Sequence, residues 1–219
     1  MADLEVTERS RLRRSHERGA FDRETINAVL DAGPLCHVAY LIDGNVHCLP
    51  TFHWRVGNRI YWHGSAASRM IKNAVQQEVC LTVTHLDGYV IARSAFHHSV
   101  NFRSVMLYGK PEIVTDEQIA ADHLKNFVDG IFPGRWDTLR PMNDQEIKAT
   151  TVLSMAIEEG SAKIRSGDPI DDEDDYALQI WAGTLPMKMV PGLPIPDART
   201  DPSMDIPDDV KNFRYGRSD

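Results

Sequence analysis

Two short stretches concentrate polar chemistry beside apolar strands. In "HGSAASRMIK" (63–72) a strand-like run ends at His63, small residues follow, and a helix begins with Arg69 and Lys72 in its early turns. Free backbone N–H groups and the helix dipole favour an anion at such a start. Gly64 and Ala66 let the backbone approach a ligand closely. In "SAFHHSVNFRSVMLYG" (94–109) His97 and His98 stand together, and Arg103 and Ser104 precede the apolar run Val105–Tyr108. Val105 and Leu107 share the strand face of Arg103, so its guanidinium either lies at the strand's open end in solvent or meets an anion. If strand 102–108 lies beside the 65–72 turn, Ser65, Arg69, Arg103 and Ser104 converge into a cluster suited to a dianionic phosphate monoester. The competing reading is an ordinary strand–helix turn carrying surface cations.

Other chemistries find less support. Nine histidines invite a metal reading, and seven of them (His37, His47, His53, His63, His85, His97 and His98) fall on or near strand-like segments. No H-E-x-x-H or Cys/His ligand spacing accompanies them, and adjacent His97 and His98 cannot face the same side of a strand. A zinc site and a histidine-held haem stay open beside the simpler reading of hydrogen-bonded residues near a barrel mouth. There is no G-x-S-x-G, G-x-G-x-x-G or Walker loop. Cys36, Cys48 and Cys80 form no C-x-x-C pair and read as free thiols packed as small hydrophobes.

The elements that must position these residues follow from periodicity. "FDRETINAVLDAGP" (21–34) reads as a helix capped by Asp22, with Ile26, Val29 and Leu30 on one face and Gly33-Pro34 as its stop. Residues 35–64 read as three strands turning at Asp43-Gly44 and Gly57-Asn58. Residues 65–78 read as a short helix. A second hairpin is expected to turn at Asp87-Gly88, and 101–116 continues as a long strand bent near Gly109 and Pro111. Residues 116–131 are helical, "NDQEIKAT" is a helical turn, and 151–165 is a last long strand. Six or seven strands with short turns and few helices suggest a closed or half-closed antiparallel barrel.

Charge and length bound the rest. The chain has 219 residues, 42% of them hydrophobic, and carries 32 acidic against 24 basic residues. A net charge of −8 argues against a nucleic-acid surface. The opening residues lack the apolar core of a signal peptide, and no apolar run approaches the ~20 residues needed to span a bilayer, so a cytoplasmic location is expected. The reading divides the chain into a charged arm (1–20), a barrel domain (21–165) and an extended tail (166–219) that packs on the barrel or a partner. Seven of the twelve prolines and the acidic run "DDEDD" (171–175) lie in that tail. Its apolar island, "IWAGTLPM" (180–187), is expected to dock near a subunit interface, where Trp181 would help cover a cofactor.

"RIYWHGSAASRMIKNA", "ARSAFHHSVNFRSVMLYGKPEIV" and "IWAGTLPM", in that order, resemble the pyridoxamine 5′-phosphate oxidase-like, FMN-binding split-barrel proteins, in the branch that includes the NimA-type nitroimidazole-resistance proteins. The resemblance covers roughly residues 15–200. It implies a mainly β fold, a six-stranded antiparallel split barrel with flanking helices, and a homodimer holding FMN in a groove between subunits. It implies that Arg69 and the Arg103-Ser104 pair hold the FMN phosphate, and Ser65, Met70 and Lys72 of the 63–72 stretch join them as candidate cofactor-binding residues. His63-Gly64 and Pro50-Thr51 would line the isoalloxazine ring, with His63 as the candidate catalytic histidine near the flavin and a candidate proton donor, its ordinary pKa lying close to neutral. Met70 stands where the true oxidases of the family carry lysine, and their substrate-phosphate motifs are not recognisable in the tail. The activity implied is that of an FMN-dependent oxidoreductase that reduces a small organic acceptor with electrons from a reduced nicotinamide or another donor. The alternatives are a non-catalytic flavin- or haem-binding protein and haem degradation, known in a related split-barrel branch.

Overall fold

Two left-handed residues, Asp43 (φ 50°) and Gly44 (φ 77°), reverse the chain between Ile42 and Asn45, which pair directly. This is the two-residue hairpin turn that Asp-Gly favours, because both central residues need positive φ. Gly57 (φ 58°) serves the next turn, between Val56 and Arg59. The first two sequence-expected turns are therefore present.

The computed structural model describes residues 3–216. Its strands are β1 (Gly19–Ala20), β2 (Leu35–Ile42), β3 (Asn45–Val56), β4 (Arg59–Ser65), β5 (Val79–Ile91), β6 (Ser99–Gly109), β7 (Glu112–Ile113), β8 (Thr150–Ala156), β9 (Glu159–Arg165) and β10 (Gly183–Pro186). The helices are α1 (Arg23–Asp31), α2 (Arg69–Ala74), α3 (Glu117–Ile131), α4 (Asp144–Ala149) and α5 (Asp208–Lys211). The strands form one antiparallel sheet ordered β1-β9-β6-β5-β2-β3-β4-β8-β7, with β10 also paired to β5. Six strands were expected and ten are found among the described residues. Three of them, β1, β7 and β10, are additions of two to four residues.

The split lies in β3. Its first half pairs with β2 from Asn45 to Phe52, and its second half pairs with β4 from His53 to Val56. The sheet coils around a core drawn from six strands, including Val38, Trp62, Leu81, Leu107, Leu153 and Ala162. Helix α1 closes it: the Asp22 side chain accepts from Thr25 N (2.8 Å), and Ile26, Val29 and Leu30 are buried. Helix α3, capped by Asp116 on Ile119 N (3.0 Å), lies on the outside over Trp54, Tyr61 and Val152.

Three expectations are corrected. Asp87-Gly88 is not a turn: β5 continues through it, with a register shift between Leu86 and Gly88, and the chain reverses over 92–98 instead. The short-range signal loses to a strand paired on both sides. A side chain at Gly88 would meet Leu185 O at 2.9 Å, and Met187 N donates to Asp87 O. Residues 151–165 are two strands, because the chain crosses the sheet after Ala156: β8 pairs with β4, and β9 pairs with β6. The helix expected over 65–78 is only Arg69–Ala74.

Candidate functional site

The candidate site sits where β3 and β4 part. Their ladder ends with His53 opposite Trp62, yet β4 runs on to Ser65, held only by β8. Along 63–65 one backbone edge therefore has no strand partner, next to the stretch Pro50–Phe52 of β3. Pro50 brings no N–H to any ladder. Such an edge offers donors and acceptors to a planar ligand with a polar rim.

His63 points outward from β4 and packs under α3. Its ring lies 5.1 Å from that of Phe127 and 5.9 Å from that of Trp54. Its Nδ1 is buried without a partner. Burial pushes its pKa below the ordinary histidine value, because desolvation disfavours the charged ring. His63 is thus a neutral imidazole at pH 7, and the proton that a donor role requires would have to arrive from solvent or substrate.

Beyond Ser65 the chain makes a tight turn, with Ser68 N donating to Ser65 O (2.8 Å) and Ala67 N to Ser65 Oγ (3.3 Å). The smallness of Gly64 has a packing reason: a Cβ there would lie 3.3 Å from Ile71 Cδ1. Arg69 and Lys72 are exposed, and among the described residues their side chains form no ion pair. Met70 is buried in the barrel core, so its side chain packs with the core and is not presented to a cofactor in this chain.

The phosphate cluster does not assemble within one chain. Strand β6 pairs with β5 and β9 and does not lie beside the 65–72 turn. Val79, where β5 begins after α2, lies opposite Gly109, whereas Arg103 lies opposite His85. Six residues of strand separate these two positions, about 20 Å. Arg103 does meet an anion, but it is the carboxylate of Asp87, at 2.9 and 2.8 Å. Ser104 Oγ donates to Lys163 O. Asp87 escaped the sequence reading because it sat in an assumed turn. The spacing Asp87…Arg103 carries no local signal.

Elsewhere, Pro50 is exposed and Thr51 half-buried. Trp181 remains 68% exposed even though β10 docks on β5, so the apolar island does not bury its tryptophan on its own barrel. Cys36 is buried and its thiol is pushed up to about 12, whereas Cys48 is exposed, against the expectation that the thiols all pack inside. Cys36 lies opposite Thr51 and Cys48 opposite Ala39, so the two are not cross-strand neighbours, as the hairpin register required.

The fold and the split define a flavin-type split barrel. The family model for pyridoxamine 5′-phosphate oxidase matches residues 22–164, and the chain belongs to the pyridoxamine 5′-phosphate oxidase-like family. Among solved structures, the chain is similar to the flavocytochrome Anf3 from Azotobacter vinelandii, with 48% identity over 96% of this chain and 98% of that one, at a TM-score of 0.92. It is also similar to an FAD- and haem-binding protein from Mycobacterium smegmatis, with 31% identity over 91% of this chain and 98% of that one, at a TM-score of 0.86. A Bacteroides thetaiotaomicron protein assigned to 5-nitroimidazole antibiotic resistance shares the fold at 17% identity, over 67% of this chain and 86% of that one, with a TM-score of 0.56. No curated protein matches. Among the described residues no helix is long and apolar enough to cross a membrane.

Proposed function

We propose that this protein is a redox protein that binds a flavin nucleotide and a haem and moves electrons between a donor and a small acceptor. The observation that carries the reading is the 48% identity to a flavocytochrome along nearly the whole of both chains. The second relative, named for FAD and haem, supports it. FAD is the flavin in this reading, and FMN, expected from the sequence, is its alternative.

The residues present fit a flavin. The unpaired edge at His63–Ser65 offers hydrogen bonds to a polar ring edge, and Arg69 with Lys72 offers unmatched positive charge to a phosphate. When bound, the flavin supplies the electron-transfer chemistry, and the protein supplies binding, orientation and electrostatics. His63, neutral and wedged against Trp54 and Phe127, fixes one wall of the cleft. Arg103, already matched by Asp87, holds the β5 bulge in place.

A homodimer belongs to the same reading. The outer face of β2, β3 and β6 leaves Leu35, Leu41, Val46, Phe52 and Met106 exposed. An apolar face of this kind supports pairing with a second copy, with the cleft completed across the interface. The test is an absorption spectrum of the purified full-length chain, with extraction and mass analysis of its cofactors. A flavin spectrum together with an intense Soret band is expected, with FAD in the extract. Flavin without a Soret band would leave the simpler flavin-dependent oxidoreductase. Sedimentation gives the oligomeric state.

A further inference from the structure

We propose that His98 is the axial ligand of the haem, through Nε2, and that the exposed aromatic surface around it receives the macrocycle. This inference rests on the haem-binding reading above and names the residue that reading lacks.

A haem brings four nitrogen ligands of its own and asks the protein for one side chain. No group of three or more His, Cys, Asp or Glu side chains capable of holding a bare ion is present among the described residues. A single well-oriented histidine therefore suffices on the protein's side. An axial or metal-bound imidazole characteristically donates its other N–H to a carbonyl, which fixes the tautomer and aims the free nitrogen.

His98 has this arrangement. Its Nδ1 lies 2.8 Å from Ser94 O. A carbonyl can only accept, so Nδ1 carries the proton and the lone pair resides on Nε2, on an exposed ring. The other eight histidines fail on one count or another: among the described residues no ring hydrogen bond to a carbonyl orients His16, His37 or His47. His53 and His85 use Nε2 on the carbonyls of Leu30 and Val29. His97 turns Nε2 toward Asp172 at 3.4 Å. His63 and His123 have Nδ1 buried without a partner, so no carbonyl orients them there.

The surroundings supply the second observation. Phe96, two residues before His98, is 89% exposed. Ser99 lies opposite Val90, which lies opposite Thr184. The 92–98 loop thus emerges at the end of the β6-β5-β10 ribbon where the chain enters β10. Trp181 stands at that end, packed on Gly183 and otherwise open. Along the same ribbon Tyr89 and Leu185, directly opposite each other, are both exposed. Exposed large apolar side chains thus stand at or near the end of the ribbon from which the His98 loop emerges, and such a surface suits a flat, mostly apolar ligand. The loop is tied down independently of any ligand: Arg93 N and Nη1 donate to buried Asp171 (2.9 and 3.0 Å), and the Arg93 guanidinium lies 4.9 Å over the ring of Tyr176.

The experiment compares wild-type protein, His98→Ala and His97→Ala. Each is produced full-length with flavin bound, then titrated with hemin and read by its Soret band in ferric and ferrous states. The expected result is a Soret band in wild type and His97→Ala, and its loss in His98→Ala. Flavin content should stay unchanged, and added imidazole should restore the band. The retained flavin spectrum shows that the variant is folded. A wild-type Soret band in His98→Ala, or loss of the band in His97→Ala alone, overturns the assignment while leaving the haem reading intact. Absence of hemin binding by wild type overturns the haem reading and this assignment with it.

Discussion

Arg103 grips Asp87 with two hydrogen bonds, at 2.9 and 2.8 Å, across the register shift in β5. The pair resolves the choice posed by an arginine at the threshold of a buried strand: the anion it meets belongs to its own chain. The same contact explains why Asp87-Gly88 is not a turn, since the carboxylate anchors the bulged residue to the neighbouring strand.

Both side chains are about one-third exposed, so water screens the pair. Asp87→Ala and Arg103→Ala should each destabilise the fold by about 1–2 kcal/mol, given the usual worth of hydrogen bonds to charged groups less that screening. The double variant should cost less than the sum of the two. Urea denaturation of the four proteins measures this, and strict additivity would show that the pair is not coupled.

Arg69 has the opposite character, exposed and unmatched. Arg69→Ala should weaken binding of a flavin nucleotide by about 1.5–3 kcal/mol, roughly tenfold to a hundredfold in Kd. Riboflavin, which lacks the phosphate, should bind both proteins alike. Equal losses for riboflavin and the nucleotide would remove Arg69 from the phosphate site.

What could be read in the sequence divides along the range of the interaction. The Asp43-Gly44 hairpin, the Asp22 cap and the buried Ile26/Val29/Leu30 face were legible, because each is decided within a few residues. The barrel class followed from the strand pattern. The chain's crossing after Ala156, the Asp87–Arg103 pair and the docking of β10 on β5 were not legible, because each depends on partners sixteen to about a hundred residues away. At the site, His63 and Arg69 were found as types at a sensible spacing. The convergence of Arg69 with Arg103 failed because strand order, which local pattern does not determine, puts Arg103 halfway along β6, opposite His85 and six residues of β5 away from the end that follows α2.

Gly88 tests the docking of the tail. A methyl group there would stand 2.9 Å from Leu185 O and 3.2 Å from Pro186 Cα, and backbone cannot swing aside as a side-chain tip can. Gly88→Ala should cost about 1–3 kcal/mol as an overpacked contact and loosen β10 from β5. Limited proteolysis reads the outcome: cleavage within 178–190 should be faster in the variant than in wild type. Identical digestion patterns would mean that the β10–β5 pairing tolerates the methyl group.

Buried histidines make the fold sensitive to acid. His53 is buried, and Nε2, bonded to Leu30 O at 3.0 Å, must carry the proton because a carbonyl only accepts. Desolvation, the largest cause, pushes its pKa down to about 4, and burial lowers His63, His85 and His123 in the same direction. The folded state therefore keeps these rings neutral, while the unfolded chain takes up protons below the ordinary histidine value of about 6.5. The unfolded state binds more protons between these values, so stability rises with pH there. It is complete above about 6.5 and is lost as pH falls toward 4, at a scale for His53 of roughly 3 kcal/mol. Depressed carboxylates such as Asp22 and Glu146 lose their own contribution only at lower pH, so the window from 6.5 to 5 isolates the histidines. In that window wild-type protein should lose stability with falling pH. His53→Gln, which keeps a donor for Leu30 O but cannot titrate, should show a shallower slope by close to one proton. Urea denaturation at pH 7, 6 and 5 measures both slopes, and coincident slopes would show that His53 takes no part in the acid response.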